Sequence, residues 1–170
     1  RKRGQKFTML VAEKLTQQGA CDQRQTGRQH YYEYTLGSDG TETWHPRFSY
    51  YGFRYIQVEG AVREGEPNPQ GLPVLKKLSS CFVYNSAREV SSFECSNELF
   101  TKTHRLIERA ERSNMQSVLT DCPHREKLGW LEQDHLCGPS LLYNYDMTRF
   151  APKVIRDITD TQKSDGMVPT

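Results

Sequence analysis

Apolar residues near the start of the chain recur at every second position. Phe7, Met9 and Val11 carry the period of a half-buried strand, and Gly19 marks a turn after it. The run Tyr31-Tyr32-Glu33-Tyr34-Thr35-Leu36 is aromatic and β-branched, then broken by Gly37-Ser38-Asp39-Gly40. Residues 48–59 are again aromatic and alternating. Phe53, Tyr55 and Gln57 fall on one face, and Arg54, Ile56 and Val58 on the other. Residues 63–73 are rich in Glu, Gly, Pro and Asn and read as a loop or boundary, with a further strand at 80–84. Short strands separated by Gly-rich turns predict a β-sandwich.

After Phe93 the period changes. Ser96 is a candidate N-cap, and Glu98 falls in the first turn, where it complements the helix dipole. Leu99, Thr103, Leu106 and Ala110 then recur at helical spacing, with Phe100 and Ile107 beside them and charges opposite. This pattern predicts an amphipathic helix that turns its apolar face to a core. A polar stretch follows at 113–117. A short helix is expected at 131–137, interrupted by Gly138-Pro139. Another is expected over 148–163, where Phe150, Val154, Ile155 and Ile158 share a stripe. Pro152 suits its first turn, and Gly166 and Pro169 suit its end. Strands followed by helices, changing near residue 90, imply a mixed two-domain organisation.

Composition narrows this picture. Of the 170 residues, 35% are hydrophobic, and the mean hydropathy is −0.79. That is polar for a self-sufficient domain, whose apolar share is usually about half. The last predicted helix also has little to pack against, so the chain reads as an internal piece of a larger protein. A net charge of +2 gives no field that points to nucleic acid or membrane, and Arg1-Lys2-Arg3 is a short solvated end. No apolar run reaches the roughly 18 residues of a membrane span, and no signal peptide is visible. Five scattered cysteines do not form a disulfide framework.

The chemistry concentrates in residues 120–134. Asp121, Glu126, Glu132 and Asp134 lie within fourteen residues, with His124, Arg125 and Trp130 among them. Pro123 and Gly129 set turns, so these side chains belong on a loop that leads into a helix. Glycoside cleavage uses such groups. One carboxylic acid protonates the leaving oxygen, a carboxylate acts from the other face, and an aromatic ring packs on the sugar. By composition alone, an acidic loop is more often solvated surface.

The run 121–130 reads DCPHREKLGW and resembles the signature of bacterial α-L-rhamnosidases. Its surroundings resemble the same family in the same order. NMQSVLT at 114–120 precedes it, and YNYD at 143–146 and DITDTQKSDGMVP at 157–169 follow it. PRFSYYGFRYIQVEG at 46–60 resembles the closing strands of the β-sandwich before the barrel. The resemblance implies that 1–90 form the C-terminal part of a β-sandwich domain with its linker. Residues 91–170 would be the first helices of a six-hairpin α/α barrel, with the remainder of that barrel covering their apolar faces.

The resemblance also implies roles. Glu126 occupies the position of the general acid, which needs a pKa raised towards working pH. Its alternative is a structural salt bridge with Arg125 or Lys127. Asp121 matches an aspartate that holds rhamnose hydroxyls, or else it is a turn residue satisfied by local N–H groups. Trp130 matches a tryptophan lining the sugar pocket, or else packs in the core. Arg125 would orient the carboxylates. Two departures bear on specificity. Many members have an extra acidic residue between the arginine and the glutamate, whereas Glu126 follows Arg125 directly. Many also have a Gly-Asp pair soon after the tryptophan. Here Leu131-Glu132-Gln133-Asp134 stands in its place, and either Glu132 or Asp134 would take over sugar holding. Family members invert, and their base lies further along the barrel, so this chain by itself is expected to be inactive.

The implied function is therefore inverting hydrolysis of terminal α-L-rhamnosyl residues from glycans or rhamnosides. No cofactor or metal is expected, the partner is a rhamnose-containing carbohydrate, and a periplasmic or secreted location fits the family. The alternatives are a non-catalytic carbohydrate-binding protein of the same fold, using Tyr31, Tyr32, Tyr34, Trp44, Tyr50 and Tyr51, or a related glycosidase with shifted sugar specificity. A zinc site built from Cys122, His124, His135 and Cys137 is a third reading. Its one-residue spacings do not suit common zinc modules.

Overall fold

The computed structural model describes residues 2–169, which divide into two compact units with the boundary between Phe82 and Val83. The first unit is built of strands. β1 (Lys6–Ala12), β4 (Tyr31–Thr35) and β5 (Tyr55–Glu59) form an antiparallel sheet in the order β4-β1-β5. β2 (Lys14–Leu15) pairs with β3 (Cys21–Asp22), and β6 (Val62–Arg63) lies parallel to β7 (Val74–Leu75). Register follows the alternation in sequence. Phe7 faces Tyr34 and Met9 faces Tyr32 on one side, while Met9 faces Val58 and Val11 faces Ile56 on the other. Residues directly opposite in a sheet share a face, so these side chains make one apolar surface, with Met9 and Val11 buried.

An aromatic cluster extends that surface. Tyr34 lies 5.0 Å from Trp44, Tyr32 lies 5.1 Å from Tyr51, and Tyr51 stacks on the buried His30 at 4.6 Å. The loop after β4 is pinned by Glu42. Its Oε2 accepts from the Tyr34 hydroxyl at 2.6 Å and the Gly37 amide at 3.2 Å. Hydrogen bonds from Ser38, Tyr34 and the Gly37 amide hold the Glu42 carboxyl down at about 2.

Two strand expectations change. Residues 48–54 are not strand, although their aromatics alternate, because β5 begins only at Tyr55, where Ala12 supplies a ladder partner. Residues 80–84 are also outside any strand and mostly exposed, whereas two short strands flank the loop predicted at 63–73.

The second unit holds α1 (Glu98–Asn114), α2 (Leu131–Asn144) and α3 (Phe150–Thr161). Asn97, not Ser96, caps α1, because its side chain accepts from the Leu99 amide. Met115, Leu119, Leu141, Tyr145, Met147, Phe150 and Val154 form the core. α2 continues through Gly138-Pro139 instead of ending at 137. Proline inside a helix costs about 3 kcal/mol. Leu141, Asn144 and Tyr145 are all buried just beyond it, and fully burying one Leu-sized side chain returns roughly 1.5–3 kcal/mol. Packing on the far side of the proline outweighs the local rule.

α1 also departs from expectation. Leu99, Phe100, Leu106 and Ile107 are exposed, while Thr101 and Glu111 are buried. Hydrogen bonds hold this inward polar stripe. The Thr101 hydroxyl accepts from the Cys95 amide at 3.2 Å, and Glu111 accepts from Asn144 at 3.0 Å across to α2. Tyr145 donates to the Glu108 carbonyl at 3.0 Å. The segment before α1 runs beside the end of α2, where the Val90 amide bonds the Asn144 carbonyl and Glu89 bridges Tyr145. In α3, Phe150 and Val154 are buried and Ile158 packs on the core, but Ile155 points to solvent.

The Glu42 clasp gives a pH prediction. A carboxyl whose folded value is depressed stabilises the fold above its ordinary value, and that stabilisation is lost as pH falls through the folded value. The native protein should unfold at higher temperature than Glu42→Gln at pH 6. The difference should shrink below pH 4.5 and vanish near pH 2. A difference independent of pH would contradict the assignment.

Candidate active site

The candidate residues lie on one stretch, from the end of a tight bridge to the first turn of α2. Met115 and Leu119 pair across the bend that follows α1, and both are buried. Thr120 then ties back to Asn114, its amide bonding the carbonyl at 2.9 Å and its hydroxyl the side-chain oxygen at 3.0 Å. Lys153 of α3 holds the same bend from the other side, donating to the Ser117 carbonyl at 2.5 Å and its hydroxyl at 3.0 Å. The loop therefore leaves from a fixed point in the helical core.

Asp121 closes the loop. Its amide donates to the Leu128 carbonyl at 3.0 Å, and the Leu128 amide donates to Asp121 Oδ1 at 2.9 Å. Oδ2 accepts from the Cys122 thiol at 3.1 Å. Partial burial pushes the Asp121 carboxyl up. The thiol and the backbone amides of Leu128 and Cys122 more than offset this and leave it below its ordinary value. Asp121 is thus a carboxylate acceptor. The loop's donors use part of the carboxylate's roughly four lone-pair sites. The turn role considered from sequence is present in the geometry, and it leaves room for a ligand role.

Between these ends, residues 123–126 form a turn. Lys127 adopts a positive φ of 56°, the strained residue that brings the chain back towards Leu128. The Glu126 amide donates to the Cys122 sulfur at 3.3 Å, and its carboxylate meets Arg125 at 3.1 Å. The Arg125–Glu126 pair is largely solvated, with side chains 55% and 37% exposed. Such pairs contribute about 0–1 kcal/mol. The salt bridge is therefore too weak to be the structural reason for Glu126.

Gly129 passes close to the bend, where a Cβ would stand 2.9 Å from a Val118 methyl. Trp130 follows at the N-cap position of α2, 40% exposed and outside the core. In the first turn of α2, Glu132 is exposed and Asp134 is half-buried, and burial pushes the Asp134 carboxyl up. The Cys137 thiol, one turn on, is also raised by burial and then by the charges of Glu111 and Asp134. Glu126, Arg125 and Asp121 are thus linked around Cys122, while Glu132 and Asp134 sit on the adjoining helix. Among the described residues no three His, Cys, Asp or Glu side chains gather as a metal site, so Cys122, His124, His135 and Cys137 are not assembled for zinc. The bonds of Cys122 and the approach of Gly129 to Val118 were not read from the sequence. No periodic signal marks them, because both depend on how the loop closes.

Comparison with known proteins agrees with this order of elements. The model of the bacterial α-L-rhamnosidase concanavalin-like domain matches residues 1–84, and that of the family's six-hairpin glycosidase domain matches 88–170. Together they define a β domain followed by a helical glycosidase domain. The chain belongs to the bacterial α-L-rhamnosidase family. It is 38% identical to an α-L-rhamnosidase of Formosa agariphila over 78% of its own length and 13% of that protein's. It is 35% identical to one from Streptomyces avermitilis, spanning 12% of that relative. Among solved structures it resembles the α-L-rhamnosidase from Dictyoglumus thermophilum, with a TM-score of 0.78, 31% identity and coverage of 98% of this chain and 18% of that one. It also resembles the Streptomyces avermitilis α-L-rhamnosidase complexed with L-rhamnose, with a TM-score of 0.73, 31% identity, and coverage of 99% and 16%.

The loop's packing is testable at Gly129. Gly129→Ala forces a Cβ against a stiff β-branched side chain and should destabilise by about 1–3 kcal/mol. Thermal unfolding checks this, and an unchanged or raised melting temperature would contradict the close approach.

Proposed function

We propose that the protein hydrolyses terminal α-L-rhamnosyl residues with inversion, and that Glu126 is the general acid. The observation that carries this reading is the geometry of the DCPHREKLGW loop. Glu126 stands on a tight turn with its amide held by Cys122 and its carboxylate by Arg125, partly open to solvent, and an exposed tryptophan, Trp130, follows four residues on. A general acid needs this combination of fixed position and access to the leaving oxygen. Asp121, kept ionised by its hydrogen bonds, accepts from sugar hydroxyls. Trp130 offers its ring to the apolar side of the sugar, and Asp134 or Glu132 adds a further acceptor from α2. In an inverting reaction the base stands roughly 6.5–9.5 Å from the acid, across the sugar, with a water between. No residue of this chain is assigned that role. The exposed apolar side of α1 would be covered by the remainder of the barrel.

A second reading rests on the stretch 131–134, which departs from the family's common pattern. There the reaction type stays the same and the sugar recognised changes.

The test is hydrolysis of an α-L-rhamnoside with a sugar leaving group by the full-length protein that carries this segment and the remainder of its barrel, with and without Glu126→Gln. The native protein should release L-rhamnose first as the β-anomer in proton NMR. The variant should lose about 10²–10⁴-fold in kcat. An active native protein with an indifferent variant would remove Glu126 from the chemistry. Retained anomeric configuration would overturn inversion. Activity on another glycoside alone would favour the second reading, and sugar binding without hydrolysis would favour a binding protein.

A further inference from the structure

We infer that Cys122 is a positioning residue, whose thiol clasps the Asp121 carboxylate and the Glu126 backbone together and sets the spacing between sugar holding and proton donation. This rests on the proposed roles of Asp121 and Glu126. The geometry is specific. Cys122 donates to Asp121 Oδ2 at 3.1 Å and, through the same sulfur, accepts from the Glu126 amide at 3.3 Å. The other Asp121 oxygen and the Asp121 backbone are fixed to Leu128, so the carboxylate is a rigid anchor for the thiol. A sulfhydryl is both a weak donor and a weak acceptor, and here both capacities are used. Elsewhere in the chain thiols find backbone oxygens, Cys21 at the Leu10 carbonyl and Cys95 at the Asn97 carbonyl. At 122 the acceptor is instead a candidate ligand side chain, and the donor belongs to the candidate acid.

The consequence is a relay of position. Moving Asp121 moves the sulfur, and moving the sulfur releases the amide that aims Glu126. A displacement of about 1 Å at a reacting group costs on the order of 10²-fold in rate. Removing the sulfur should therefore act on binding and on chemistry at once. A hydroxyl at the same place is both donor and acceptor, so serine should restore most of the clasp.

The experiment compares Cys122→Ala and Cys122→Ser with the native sequence in the full-length protein that carries this segment and the remainder of its barrel, and uses Cys81→Ser, an exposed thiol, as control. Amide hydrogen exchange over the peptide spanning 120–131 reads the clasp without any activity. Exchange should quicken several-fold in Cys122→Ala and return in Cys122→Ser, with the control unchanged. Kinetics on an aryl α-L-rhamnoside should show kcat/KM about tenfold or more lower in the alanine variant, with both a higher KM and a lower kcat, and recovery to within a few-fold in the serine variant. Unchanged exchange in Cys122→Ala would overturn the clasp, and changed exchange with native kinetics would overturn its positioning role. A serine variant as impaired as alanine would also contradict it. If the native protein does not hydrolyse rhamnosides, the proposed function fails, while exchange still decides whether the clasp exists.

Discussion

Two hydrogen bonds between Asp121 and Leu128 close a loop of eight residues whose ends would otherwise be free to separate. The amide of each donates to the other, one to a carbonyl at 3.0 Å and one to the carboxylate at 2.9 Å. Closing such a loop costs conformational entropy, and none of its side chains is fully buried to offset it. The carboxylate is what makes the closure possible. It replaces the second carbonyl of an ordinary strand pair. Everything proposed for the site, from the turn that carries Glu126 to the placement of Trp130, depends on that ring being shut.

The helical core explains why the ring sits where it does. Met115 and Leu119 bury the bend after α1, Lys153 ties Ser117 to α3, and Val118 meets Gly129 on the return of the loop. Rigid elements thus fix both ends of a polar loop that has little packing of its own, a common arrangement for chemistry carried on loops. The buried Glu111–Asn144 pair and the Tyr145 hydroxyl hold α1 against α2 with hydrogen bonds, leaving the apolar residues of α1 on the opposite face.

Much of this was legible in the sequence, and the exceptions share a cause. The alternation of Phe7, Met9 and Val11 located β1, and the period of residues 99–110 located α1. Pattern shows which residues are apolar, but not what covers them. The inward face of α1 was therefore misread, and Thr101 and Glu111 took the buried positions through hydrogen bonds that have no period. Gly138-Pro139 suggested a break that Leu141 and Tyr145 override from one turn further on. Residues 48–54 have the composition of a strand without a partner to pair with. In the loop, the resemblance singled out Asp121, Arg125, Glu126 and Trp130. The bonds that Cys122 makes to Asp121 and Glu126 run through a thiol, and no periodic pattern in the sequence marks them.

The claim that Glu126 protonates the leaving oxygen meets its most direct test in a series of aryl α-L-rhamnosides whose phenols differ in acidity. An enzyme that supplies a proton is nearly indifferent to the leaving group, whereas one that has lost its acid depends on the phenol leaving unaided. For the native full-length protein that carries this segment, log kcat/KM should vary little with phenol pKa. For Glu126→Gln it should fall steeply, with the most acidic phenols hydrolysed at close to the native rate. Equal slopes in the two proteins would contradict the account and place the proton donor elsewhere.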